Sequence, residues 1–206
     1  MACPLIVPCH CVDEDFESLL GAFASEPEAK AIALASRVCI IGTHYNDCMD
    51  EISLKIAELI NKSEVTGVVH SYFRALDEKT FDVQYFASIF AAEAKMTRPN
   101  GASLIGPKEI SASHEKSFAR FEGSQHLLTG HDISIHGNKA TVRANLVAMH
   151  MWQGSKTSAN NPDNFFIAGG VIHSELVQTD GQWKISQLSN DVVWRAGGFR
   201  DMAQTK

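Results

Sequence analysis

His126 and His150 are the residues of this chain whose type and placement most directly suggest proton chemistry. An imidazole titrates near neutrality, so it can take or give a proton at physiological pH. The two stand near the far ends of Gln125 to Trp152, QHLLTGHDISIHGNKATVRANLVAMHMW, which reads as two long strands folded on each other. Gly137-Asn138 supplies the tight turn, because Gly has no Cβ penalty at positive φ and Asn tolerates that region. Antiparallel pairing across the turn brings positions 126 and 150 close together on neighbouring strands. With period-two alternation, Ala140, Val142, Ala144, Leu146, Ala148 and His150 share one face, and Thr141, Arg143, Asn145, Val147 and Met149 the other. The His150 face is expected to line a core or a cavity. A lone histidine there is ordinarily a satisfied core residue; two that converge suggest a site.

A second cluster with chemical potential lies at the start of the chain. All five cysteines, Cys3, Cys9, Cys11, Cys39 and Cys48, fall in the first quarter. Cys9-His10-Cys11 invites a zinc reading, because thiolates and imidazole are zinc's preferred ligands. Adjacent ligands match none of the usual paired spacings, so plain thiols are expected and no metal is assigned. An odd count, with no positively charged region ahead of the brief apolar start, points to reduced thiols in the cytoplasm. A formal charge of −6 with no basic cluster argues against a nucleic-acid surface. No apolar run has the length to cross a bilayer.

The elements that must hold the hairpin read as follows. Residues 1–45 form a helical extension, with pieces at Phe16 to Ala24 and Glu28 to Ile41 separated by Glu26-Pro27 and ended by Gly42. Met49, Ile52, Ile56, Leu59 and Ile60 make one apolar stripe, expected to be buried on the main domain or on a partner subunit. Residues 46–206 form the main domain. Ser63 caps a helix whose stripe is Val65, Val68, Val69, Tyr72 and Leu76, and Asp77 follows it. A second helix runs from Thr80 to Phe90. Strands at Ala92 to Thr97 and Ala102 to Ile105 flank the Arg98-Pro99-Asn100-Gly101 turn, and Gly106-Pro107 opens a helix from Lys108 to about Glu122. After the hairpin come a strand from Phe165 to Gln178, bent at Gly169-Gly170, a turn at Asp180-Gly181, a strand from Trp183 to Trp194, and a loose tail from Arg195. Helices followed by hairpin-linked strands make an α+β fold in which a curled sheet closes on helices as a cone with an internal pocket.

Several of these runs, in order and spacing, resemble one family. Tyr72-Phe-Arg-Ala-Leu-Asp77-Glu-Lys-Thr-Phe81, Gly106 opening a helix, His126-Leu-Leu-Thr129, Ala140-Thr-Val-Arg143 and Asp180-Gly-Gln-Trp183-Lys-Ile185 are similar to the SnoaL-like branch of the nuclear transport factor two-like superfamily, over roughly residues 60 to 195. That superfamily, which includes relatives of scytalone dehydratase, bile-acid dehydratase and ketosteroid isomerase, has the cone fold just described. The resemblance implies an acid–base pair of Asp77, near the end of the first helix, and His126, on the third strand. It adds Tyr72 and a second histidine, His150, to the catalytic set. An Arg used by some members has no counterpart in the Val177-Gln178 region.

In this reading His126 removes an acidic proton beside a carbonyl, Asp77 orients it, Tyr72 donates to the developing oxyanion, and His150 protonates or holds a departing hydroxyl. Dehydration, double-bond isomerisation and cyclisation all follow from one enolate, and no metal or organic cofactor is required. The expected partner is an apolar, cyclic small molecule of polyketide or terpenoid type, bound by a homo-oligomer, dimer or trimer, with no nucleic acid or membrane involved. The rival reading is a non-catalytic ligand-binding or assembly protein on the same fold. His70, His114, His131 and His136 are read as surface or turn residues, and His173 is left undecided.

Overall fold

The structure, a computed structural model, describes residues 27–155 and 161–200, with side chains from Met49 onward. The Cys9-His10-Cys11 run and the expected Phe16 to Ala24 helix lie outside the described residues. The chain divides between Ile56 and Ala57 into two compact units. Of the first, the structure describes helix from Pro27 on, in which Met49, Ile52 and Ile56 are exposed.

The first helix, α1 (Pro27–Asp77), is continuous, so the stop expected at Gly42 and the cap expected at Ser63 do not occur. An interior Gly costs only about 1 kcal/mol and a Ser less, and neither ends a helix flanked by Ala, Ile, Leu and Lys. Pro27 sits at the head of the helix, where its missing N–H is harmless. Leu59 and Ile60 are exposed, Leu59 at 67%, so the apolar stripe has no cover within the described residues.

From Val65 onward α1 turns a different face inward. Val65, Val69, Tyr72, Phe73 and Leu76 recur at helical spacing and are all buried. Two short helices follow. α2 (Val83–Ile89) is capped by Asp82, whose carboxylate accepts the Tyr85 N–H. α3 (Gly106–Phe118) has Pro107 in its first turn, and Glu109 reaches back to accept the Ile105 N–H at 2.9 Å. Gly106 is required there: φ is +75°, and a Cβ would lie 2.8 Å from the Ala92 carbonyl oxygen. α3 is shorter than its sequence pattern suggested, because Phe121 already belongs to the next strand.

Six strands, β1 (Phe90–Thr97), β2 (Ser103–Ile105), β3 (Phe121–His136), β4 (Lys139–Trp152), β5 (Phe165–Thr179) and β6 (Gln182–Gly197), form one sheet in the order β2-β1-β6-β5-β4-β3. Every pairing is antiparallel except β1 with β6. β4 alternates buried and exposed residues almost without fault, and Ala140 through His150 on the even positions are buried as expected. The sheet curls around the helices through bulges in β3 and at Gly169/Gly170. Its inner face meets the helices over Phe86, Phe90, Ile110, Ile172, Leu176 and Ile185, all fully buried. Each such side chain contributes about 1.5–3 kcal/mol on leaving water. The result is the mixed-sheet α+β cone expected from the order of elements, and no helix among the described residues is long and apolar enough to cross a membrane.

The chain after the last strand is less loose than expected. The Gly198 N–H donates to the Pro162 and Phe165 carbonyls, the Trp152 indole N–H donates to the Gly198 carbonyl, and Phe199 packs on Phe166.

Candidate active site

The inner face of the cone lines an open cavity of about 710 Å³, in the range that suits a small organic ligand. Tyr72, Phe73, His114, Phe118, His126, His150 and Phe166 are among the residues that line it.

His126 reaches this cavity only because of a bulge. Near the turn, Ile133 and Ile135 pair with Val142 and Ala140, so odd-numbered residues of β3 face inward. If that register continued, His126 would face the outside. Between Thr129 and Asp132, β3 carries two residues, Gly130 and His131, against the single Ala144 of β4. Gly130 has φ +62°, the left-handed position that an antiparallel bulge of this type requires. One extra residue reverses the parity, and from Leu128 onward the even positions face inward. His126 then pairs with Ala148, and His150 stands one pair away on the same face. The two rings lie 5.2 Å apart.

Asp77 is the last residue of α1, at the negative end of the helix dipole, where a carboxylate needs outside partners. It has two. Its Oδ1 is 2.6 Å from His126 Nδ1, and its Oδ2 accepts the His126 backbone N–H at 3.0 Å. The carboxylate can only accept, so His126 carries its proton on Nδ1 and leaves Nε2 as a lone-pair nitrogen. No described residue hydrogen-bonds to Nε2. The His126 side chain is 5% exposed and that of Asp77 25%, so the imidazole is buried while the carboxylate keeps partial contact with water.

His150 sits in an aromatic sleeve, its ring 4.7 Å from Phe121, 4.6 Å from Phe166 and 5.5 Å from Phe118. Its buried Nδ1 has no hydrogen-bond partner among the described residues. Burial, followed by the nearness of His126, pushes its pKa down to about 3 against an opposing pull from Asp77. It is therefore a neutral imidazole at physiological pH.

Tyr72 is buried on α1, and its hydroxyl meets His114 Nε2 at 2.7 Å. Burial raises its pKa above the ordinary phenol value, so it stays protonated. His114 corrects the reading of that residue as surface or turn. It is buried on α3, with Ile110 and Phe118 one turn to either side, a stripe the i, i+4, i+8 spacing could have revealed. Burial, then the Arg98 cation, then His126, push its pKa down to about 3. Arg98, assigned from sequence only to a turn, lines the cavity and reaches His114 Nδ1 at 3.0 Å. Asn190 on β6 also lines the cavity, with a buried Oδ1 that has no partner among the described residues.

The other histidines with described side chains stay outside. His70 and His131 face each other with their Nε2 atoms 3.1 Å apart, His136 is exposed, and His173 lies on the outer face 3.5 Å from Asp191. Among the described residues no group of three or more His, Cys, Asp or Glu is placed to hold a metal.

Comparison with known proteins agrees with this architecture. Residues 57–189 match the SnoaL-like domain, and the chain belongs to that family. Among solved structures, a protein from Kribbella flavida superposes with TM-score 0.61 at 19% identity, over 67% of this chain and 94% of that one. A protein assigned as a scytalone dehydratase from Novosphingobium aromaticivorans gives 0.59 at 17%, over 70% and 95%. A hexachlorocyclohexane dehydrochlorinase of Novosphingobium barchaimii gives 0.58 at 16%, over 69% and 93%. At these identities the likeness establishes the fold. No curated protein matches the chain.

Proposed function

We propose that this protein is a cofactor-independent lyase or isomerase that abstracts a proton beside a carbonyl of an apolar, cyclic substrate. The observation that carries this reading is the Asp77–His126 pair, with Nδ1–H tied to the carboxylate and Nε2 without a partner among the described residues, on a cavity wall that also carries Tyr72, Phe73 and Phe118. His126 Nε2 takes the proton, and the C–H electrons move onto the carbonyl oxygen as an enolate. Asp77 stabilises the imidazolium that forms. Tyr72 donates a hydrogen bond to the oxyanion, an interaction strengthened by the low-dielectric surroundings.

The enolate then has two balanced outcomes. With a hydroxyl on the β-carbon, the electrons return, the C–O bond breaks, and the oxygen leaves as water with the proton carried by His126. Without a leaving group, the same proton returns at another carbon and the double bond shifts. Ring closure from the enolate is a third route. His150, being neutral, holds the departing oxygen rather than protonating it. The scytalone dehydratase and dehydrochlorinase likenesses support elimination among these. We further propose that residues 1–45 form an extension to a cone domain over 46–206, and that the protein is a cytoplasmic homo-oligomer.

The test is a panel of cyclic β-hydroxyketones and β,γ-unsaturated ketones, followed by the absorbance of the conjugated product. Turnover by the wild type, with loss in His126→Ala while substrate still binds, supports the enzyme. Binding without turnover in the wild type would leave a ligand-binding protein.

A further inference from the structure

Arg98, Ser117, His114 and Tyr72 are joined by hydrogen bonds, and all four line the cavity. The Arg98 Nη1 donates to Ser117 Oγ at 3.1 Å, and its Nη2 lies 3.0 Å from His114 Nδ1. Ser117 in turn donates its hydroxyl to the Ser113 carbonyl one turn back on α3, which leaves its lone pairs for the guanidinium. A guanidinium has only donors, so His114 Nδ1 must accept and the neutral ring must carry its proton on Nε2. That nitrogen is 2.7 Å from the Tyr72 hydroxyl oxygen, so Nε2–H donates to Tyr72.

The direction of this bond decides what the tyrosine can do. With its oxygen accepting from His114, the Tyr72 hydroxyl proton must point elsewhere. Its other contact is Met96 Sδ at 3.9 Å, a weak acceptor, and Met96 also lines the cavity. The reverse arrangement, Tyr72 donating to Nε2 with a proton on Nδ1, would set two donors against each other 3.0 Å apart at Arg98. The strong low-pKa displacement of His114 agrees with a ring that stays neutral and keeps one tautomer.

We infer that Arg98 is a positioning residue: through His114 it fixes the tautomer that turns the Tyr72 hydroxyl proton into the cavity, which makes this wall the receptor for an anionic oxygen on a ring-shaped ligand. The inference rests on the proton-abstraction reading for its role in turnover, but its physical content is independent of turnover. It names the chemical group of the substrate that Tyr72 receives. Phe118, whose ring is 6.0 Å from His114 and 6.1 Å from His126, is shared by the two poles, so a planar ring lying against it meets both.

The test reads the tautomer directly. Long-range ¹H–¹⁵N correlation spectra of the histidine side chains in the wild-type protein, assigned with His114→Gln, are expected to show His114 protonated on Nε2 and His126 on Nδ1. In Arg98→Met, His114 is expected to shift toward Nδ1–H while His126 is unchanged, and Arg98→Lys is expected to restore Nε2–H. 4-Nitrophenolate serves as a ring-borne oxyanion and is followed by its absorbance. Tyr72→Phe and Arg98→Met should each weaken its binding about ten- to a hundredfold, the range for a hydrogen bond to a charged group. The double variant should lose no more than either single one, because both remove the same bond. A wild-type His114 protonated on Nδ1 overturns the inference, and so does an Nε2–H that persists in Arg98→Met. Strictly additive losses, or no measurable binding of 4-nitrophenolate by the wild type, overturn it as well. An inert protein with the expected tautomer would sink the lyase reading alone.

Discussion

Asp77 engages His126 twice, through the ring Nδ1 at 2.6 Å and through the backbone N–H at 3.0 Å, so one carboxylate fixes both the tautomer of the imidazole and the strand that carries it. The ring bond bears on chemistry and the backbone bond on structure. Substitutions at Asp77 can separate them.

Asp77→Asn keeps the size of the side chain, and its amide oxygen can still accept the His126 backbone N–H. It removes the negative charge that stabilises an imidazolium, and its amide hydrogens favour the wrong tautomer. Turnover should fall about 10²- to 10⁴-fold, the usual worth of a positioned acid–base group, while affinity for an apolar ring ligand changes little. Steady-state rates set beside equilibrium binding of the same compound make the comparison.

Two buried histidines should make the fold acid-sensitive. His114 and His150 have an ordinary pKa of 6.5 in the unfolded chain and about 3 in the folded one. Between those values the unfolded state holds more protons, so stability falls as pH falls from about 6.5 toward about 3, by up to about 1.4 kcal/mol per pH unit for each histidine. His150→Phe should remove one of the two contributions and flatten the slope. Urea unfolding at pH 7, 6 and 5 measures it.

Gly130 controls which way β3 faces. Its φ of +62° costs any side chain with a Cβ, and that Cβ would lie 3.0 Å from the Asn145 amide nitrogen. Gly130→Ala should destabilise by about 1–2 kcal/mol, and Gly130→Asn by less, because Asn tolerates the left-handed region. Deleting Gly130 should do something different: it restores the uninterrupted register and turns His126 outward. The expected result is loss of turnover together with a His126 signal that titrates in open solvent, read by NMR.

The two bend glycines of β5 should respond unequally. A Cβ on Gly170 would sit 2.5 Å from the Asp191 backbone oxygen, which belongs to the neighbouring strand and cannot yield. A Cβ on Gly169 would strike the Trp194 indole, a side chain 47% exposed that can swing away. Gly170→Ala should cost about 1–3 kcal/mol by overpacking, and Gly169→Ala less, with a red shift of tryptophan fluorescence as the indole enters water. Chemical denaturation and emission spectra distinguish the two.

Much of the cone was legible because its signals are local and periodic. The alternation of Ala140 through His150 gave the inner face of β4, and Asp180-Gly181, both at positive φ, marked the last hairpin turn. At Gly137-Asn138 only Gly137 is at positive φ, the arrangement with glycine first. The convergence of His126 with His150 was expected from pairing about that turn, but the reason lies in the Gly130 bulge, which no count of alternating residues reveals. The burial of His114 is not legible among its Ser, Glu and Lys neighbours; the partners supplied by α1 and the Arg98 turn explain it. The continuity of α1 through Gly42 and Ser63 is not legible, because a weak helix former inside a helix carries the same local signal as one that ends it.

The position of β6 in the sheet has a consequence for assembly. The strand nearest the C-terminal end of the described chain lies between β1 and β5, and it is the sole bridge joining the β2-β1 pair to the rest. As the chain emerges during synthesis, the early strands and the long hairpins remain separate fragments until residues beyond Gln182 appear. The wall of the cavity is completed by the final wedge, so any truncation that reaches β6 should abolish the ligand chamber and leave the β5-β4-β3 meander severed from β1 and β2.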